Sequence, residues 1–78
     1  MKHSTKEGLD RYAKYRITTG GFLYAILSNN LMKAMRHADA ENREDIFEIC
    51  QYVYDNLPVA CYGSEDAVKA WLLGRHKV

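Results

Sequence analysis

Apolar residues return along this chain at spacings of three and four, and that period belongs to helices. Leu9, Tyr12, Ala13 and Arg16 share a face at i, i+3, i+4 and i+7, which predicts a first helix over about 5–15. Ser4-Thr5-Lys6-Glu7 fits a capping box for it, with serine hydroxyl and glutamate carboxylate each satisfying a backbone donor. Thr18-Thr19-Gly20-Gly21 then breaks the chain. Leu23, Ile26, Leu27, Leu31, Ala34, Met35 and Ala38 form one stripe, widened by Phe22 and Ala25, and predict a second helix over about 21–36. Asp39 suits an N-cap. Beyond it Ile46, Ile49, Cys50, Val53, Tyr54 and Leu57 predict a third helix over about 40–56, closed by Asn56-Leu57-Pro58. The loop PVACYG is apolar enough to lie on the core. Ser64 caps a last helix over about 65–73, with Glu65 and Asp66 in the first turn, Val68, Trp71 and Leu72 facing inward, and Gly74 as C-cap.

The pattern therefore predicts an all-α fold, a compact bundle of about four helices in which helices two and three form an antiparallel hairpin. No segment alternates for long enough to make a strand. The chain of 78 residues is one domain, with residues 1–3 and 75–78 expected to be flexible tails. A chain of this length buries roughly 60% of the surface its unfolded form exposes, so its core is thin.

Charge changes the picture, because a net charge of +1 conceals a division. Residues 1–38 carry seven basic side chains against two acidic ones, a net of +5. Residues 39–66 carry eight acidic side chains against Arg43 alone, a net of −7. Part of this is internal complementarity, and the rest is open to a partner. No apolar run approaches the roughly 20 residues of a membrane span, and no leader pattern is present, so a cytoplasmic protein is expected. Cys50 and Cys61 match no zinc or redox spacing, and both thiols are expected to be reduced.

The candidate chemistry is that of binding. Asn29 and Asn30 sit together in the middle of the second helix, where asparagine is a poor choice: Asn30 lies on the apolar stripe and needs internal partners, and Asn29 can face outward. Six tyrosines exceed what a small core needs, and Tyr24 and Tyr52 fall off their helices' main apolar stripes. Glu41, Glu44, Asp45, Glu48 and Asp55 form a carboxylate stripe beside the apolar face of the third helix, with Tyr52 along it. That stripe is either a solvated face or an acidic docking surface. Tyr24, Asn29, Glu41, Glu44, Asp45, Glu48, Tyr52 and Asp55 are thus the candidate partner-binding residues. The alternative, a nucleic-acid surface, would use Lys6, Arg11, Lys14, Arg16, Lys33 and Arg36, though no recognition-helix arrangement is evident. The turn of two glycines is not a phosphate loop, since no Gly-Lys-Ser/Thr follows. His3, His37 and His76 share no ligand spacing, and no serine or cysteine has a histidine and a carboxylate in triad order. No cofactor, metal or catalytic role is expected.

The run RITTGGFLYAILSNNLMKAMRHADAENREDIFEICQYVYDNLP, followed by a Gly-Ser-capped helix with Val68 and Trp71-Leu72, resembles small helical proteins encoded by bacteriophages and prophages. The resemblance covers about residues 11–73. It implies a phage setting and a non-enzymatic accessory protein that binds a protein of the bacterial host or phage, such as a host defence or replication component (an anti-CRISPR role is one version). A homodimer is a further expectation, and nucleic-acid binding the alternative.

Overall fold

The computed structural model describes residues 1–74. The expected tail at 75–78 lies outside the described residues. The helices are α1 His3–Tyr15, α2 Gly21–Leu27, α3 Leu31–His37, α4 Ala40–Glu44, α5 Ile46–Asn56 and α6 Glu65–Leu73, with a 3-10 turn at Val59–Cys61. The described residues are all-helical and contain no strand, as the periodicity predicts, but there are six helices rather than four.

The second predicted helix is two. At Ser28-Asn29-Asn30 the chain leaves helical geometry, and Asn29 takes the left-handed conformation at φ 62°. Asparagine tolerates that region better than most residues. Asn30 becomes the N-cap of α3, its Oδ1 accepting from the Lys33 N–H at 3.1 Å. The Asn30 N–H donates to the Ala25 carbonyl at 2.9 Å, and the Gly63 N–H to that of Leu27 at 2.8 Å, so the free carbonyls of α2 find partners. The close helix pair is accordingly α2 with α3, both drawn from the single predicted helix 21–36. The predicted stripe divides too. Ile26, Leu27, Ala34 and Ala38 are buried, whereas Leu31 and Met35 are exposed.

The third predicted helix bends rather than ends. Asp45, at φ −92° and ψ 3°, separates α4 from α5. Its N–H donates to the carbonyls of both Glu41 and Asn42 at 3.1 Å, a tightened turn. Asp39 caps α4 by accepting from the Asn42 N–H at 2.8 Å, and Ser64 caps α6 by accepting from Ala67 at 3.1 Å. The capping box at Ser4-Glu7 does not form. The first helix begins instead at His3, with Lys2 as an N-cap lacking a side-chain bond. The Met1 amine lies 2.6 Å from Glu48 and 3.5 Å from Asp45, and Lys2 Nζ lies 2.7 Å from Asp39.

The core gathers side chains from almost every element: Leu9 and Tyr12 of α1, Phe22, Ala25, Ile26 and Leu27 of α2, Ala34 of α3, Ile49 and Val53 of α5, Cys61 and Val68. Tyr12 joins three of these elements. Its hydroxyl donates to the Cys61 carbonyl at 2.7 Å, and its own carbonyl accepts from Trp71 Nε1 at 2.9 Å. The radius of gyration, 11.7 Å, is close to the roughly 11.5 Å expected of a compact chain of this length.

Candidate functional site

Helix α5 sorts its side chains by angle. Ile49 and Val53 point into the core and are buried, and Ile46 is half-buried beside them. Phe47 and Tyr54 stand at i and i+7, nearly superposed when viewed down the axis. Both project into solvent, Phe47 at 80% exposure and Tyr54 at 73%. Cys50 lies between them and the core edge and is half-buried. The Tyr54 assignment to the core is therefore corrected: its rotation about the helix carries it outside the arc that Ile49 and Val53 bury.

Behind Tyr54 the surface opens into a groove of about 390 Å³, lined by Ile26, Asn29, Cys50, Val53, Tyr54, Tyr62 and Gly63. Its walls come from the end of α2, the turn at Asn29, the flank of α5 and the segment after the 3-10 turn. Burial raises the Cys50 thiol above its ordinary value, so the groove holds a neutral thiol at neutral pH.

The candidate carboxylates fall beside this edge. Glu41 and Glu44 are exposed on α4. Glu48 and Asp55 are exposed on the outer side of α5, where Asp55 accepts from Gln51 Nε2 at 3.0 Å on each oxygen. Asp45 and Glu48 face the Met1 amine, which the hydrogen bond to Glu48 raises above its ordinary value. Arg43, the one basic residue among them, turns away and donates to the carbonyls of Met35 and Ala38 at 3.3 and 3.4 Å. An apolar edge and an acidic edge thus run side by side along α4 and α5.

Asn29 joins the assembly from across the groove. Tyr52 borders a hollow with Phe47, Glu48 and Asp55 on the far side of the Phe47–Tyr54 edge, whereas Tyr24 lies apart. The half-buried Tyr24 donates to Glu65 at 3.3 Å, toward α6, and burial raises its phenol above the ordinary value. Tyr52 turns toward α1 and donates to Asp10 at 2.5 Å. That bond holds the Asp10 carboxyl below its ordinary value, with Lys6 adding to the effect.

The basic set is dispersed. Lys6 pairs with Asp10 at 3.0 Å, and Lys14 lies 5.3 Å from the Tyr15 ring centre. Arg11 is exposed on α1, where Glu7 and Asp10 interleave with the cations. Arg16 stacks on Trp71 at 3.6 Å. Lys33 lines a small hollow with Tyr24 and Glu65, and Arg36 lies in the last turn of α3.

The sequence reading missed Phe47. The available signal was its position, one residue beyond Ile46 and off the apolar stripe, in a helix whose other off-stripe residues are mostly polar. Among the described residues no group of three or more His, Cys, Asp or Glu side chains is placed to hold a metal ion, and no helix is long and apolar enough to cross a membrane. Cys50 and Cys61 are both free thiols, and burial raises that of Cys61 to about 11. No protein-family model, no curated protein and no solved structure matches this chain.

Proposed function

We propose that this chain is a non-enzymatic phage or prophage accessory protein that works in the host cytoplasm by binding a protein through the outer face of α4 and α5. The observation that carries the reading is the pair Phe47 and Tyr54, two large aromatics left largely exposed on one edge of one helix; Met32, Val59 and Leu73 are exposed too, but each on a different element. Exposed aromatics of this kind are the usual anchors of protein interfaces. Glu44, Glu48 and Asp55 beside them supply a charged rim, which steers encounter and selects against wrong partners. A host defence or replication protein is the partner class that fits the phage-like sequence pattern. The nucleic-acid alternative has less support, because Lys6 and Arg16 are engaged internally and carboxylates break up the α1 surface.

Affinity purification from bacterial lysate with matched variants tests the reading. Wild type is expected to retain a protein that Phe47→Ala/Tyr54→Ala and Glu41→Lys/Glu44→Lys/Glu48→Lys both lose, while Lys6→Gln/Arg11→Gln/Lys14→Gln retains it. DNA binding that weakens steeply with salt and depends on the basic set would overturn it.

A further inference from the structure

The groove and the rim beside it point to one kind of occupant. Its floor is apolar, made by Ile26, Cys50 and Val53, and Tyr54 and Tyr62 form its sides. It is open to solvent, and its wall Tyr54 shares one edge of α5 with the exposed Phe47, so a side chain carried on an extended surface reaches it more readily than a compact ligand fills it. Across the Phe47–Tyr54 edge from the groove, Glu48 and Asp55 border a second hollow with Phe47 and Met1, where the Met1 amine meets Glu48 at 2.6 Å. Arg43 is held by backbone carbonyls, so the carboxylates of α4 and α5 still outnumber the cations there. A second copy docking α5 against α5 would bring like-charged rims together, which is destabilising. A cationic partner meets no such penalty.

We propose that this groove and the Phe47–Tyr54 edge receive a basic amphipathic helix of a protein partner. An apolar side chain of that helix enters between Tyr54 and Tyr62, the next apolar turns cover Phe47, and lysine or arginine side chains lie along Glu44, Glu48 and Asp55. This is the helix-in-groove mode, in which apolar anchors at i, i+3, i+4 and i+7 carry affinity and flanking charges set orientation. The inference rests on the proposed docking face and adds the chemistry of what docks there.

The test uses two synthetic helical peptides with the same leucine face, one with a lysine outer face and one with a glutamate outer face, titrated into the intact protein. The lysine peptide is expected to bind, with affinity falling as salt rises. Amide shift changes should be confined to α5 and residues near 29 and 62–63, and alkylation of Cys50 should slow at least about fivefold when the groove is filled. Tyr54→Ala and Phe47→Ala should each weaken binding about tenfold or more, whereas Asp66→Asn, an acidic site on α6, should leave it unchanged. Equal binding of the glutamate peptide, shifts elsewhere on the surface, or equal loss with Asp66→Asn would overturn the proposal. Sedimentation separates the two levels of inference. A dimer of the free protein that Phe47→Ala dissociates overturns the basic-helix occupant and leaves α5 an interface. A monomer that ignores both peptides, and whose lysate partner survives Phe47→Ala/Tyr54→Ala, overturns both.

Discussion

The Arg16 guanidinium lies flat against the Trp71 ring, 3.6 Å from its centre, and donates to the Trp71 carbonyl at 3.1 Å. The two residues are 55 positions apart and fasten the end of α1 to the end of α6. The contact sustains an unusual backbone, because Arg16 is a left-handed C-cap at φ 58°, a place glycine usually takes.

Arg16→Ala removes the stack and the hydrogen bond but keeps the positive φ. The expected loss is about 2–3 kcal/mol by chemical denaturation, combining a partly desolvated cation–π contact with a charged hydrogen bond. Arg16→Gly loses the same contacts yet relieves the backbone, so it should be about 1 kcal/mol less destabilising than alanine. Gly74→Ala should act through the same residue, because a Cβ there collides with the guanidinium and forces it off the ring. Tryptophan emission should shift in Arg16→Ala and Gly74→Ala alike.

The turn at Ser28-Asn29-Asn30 makes a second prediction. Asn30→Ala should cost about 1 kcal/mol, the ordinary value of a lost N-cap. Asn29→Gly should be neutral or slightly stabilising, while Asn29→Val should be clearly worse, because a β-branched residue resists positive φ. Thermal melts of the three variants check the order. Equal melting temperatures for Gly and Val at position 29 would contradict the left-handed turn.

Core and edge of α5 should respond oppositely. Ile49→Ala empties a fully buried site and should cost about 2–5 kcal/mol, enough to threaten folding in a domain of this size. Ile46→Ala, at a half-buried position, should cost less. Phe47→Ala should stay within about 0.5 kcal/mol of wild type. A large loss at Phe47 would mean that its ring is packed, not presented.

The Tyr52–Asp10 bond gives stability a dependence on pH. The folded state holds Asp10 below its ordinary value of 3.8, first through Tyr52 and then through Lys6. The unfolded chain therefore takes up this proton at higher pH than the folded chain does. The contribution is complete above 3.8 and is lost as the pH falls below it through the folded value. Tyr52→Phe should cost about 1 kcal/mol near neutrality, allowing for screening at an exposed carboxylate. That deficit should shrink toward about pH 3, as denaturation of the two proteins at both pH values would report.

Helix itself was legible because it is written locally. Spacings of three and four, the caps at Asp39 and Ser64, and the stop before Pro58 all act within one turn, and each appears in the structure at its predicted place. The break at Asn29-Asn30 was written there too, in two residues that favour turns and caps, but the apolar stripe running through it reads equally well as one helix. What decides between one helix and two is the backbone bond from Gly63 to Leu27, made by residues far apart in sequence. The proposed docking face belongs to the same class. Period alone places Tyr54 with Val53 on the inner side of α5, and only the tertiary packing around that helix decides how wide the buried arc is. The arc closes at Cys50, so Tyr54 and Phe47 fall outside it and the carboxylates of the sequence pattern gain an aromatic edge. Local spacing determines which residues share a side of a helix, while the breadth of that side in contact with the core is set by neighbours that the spacing does not name.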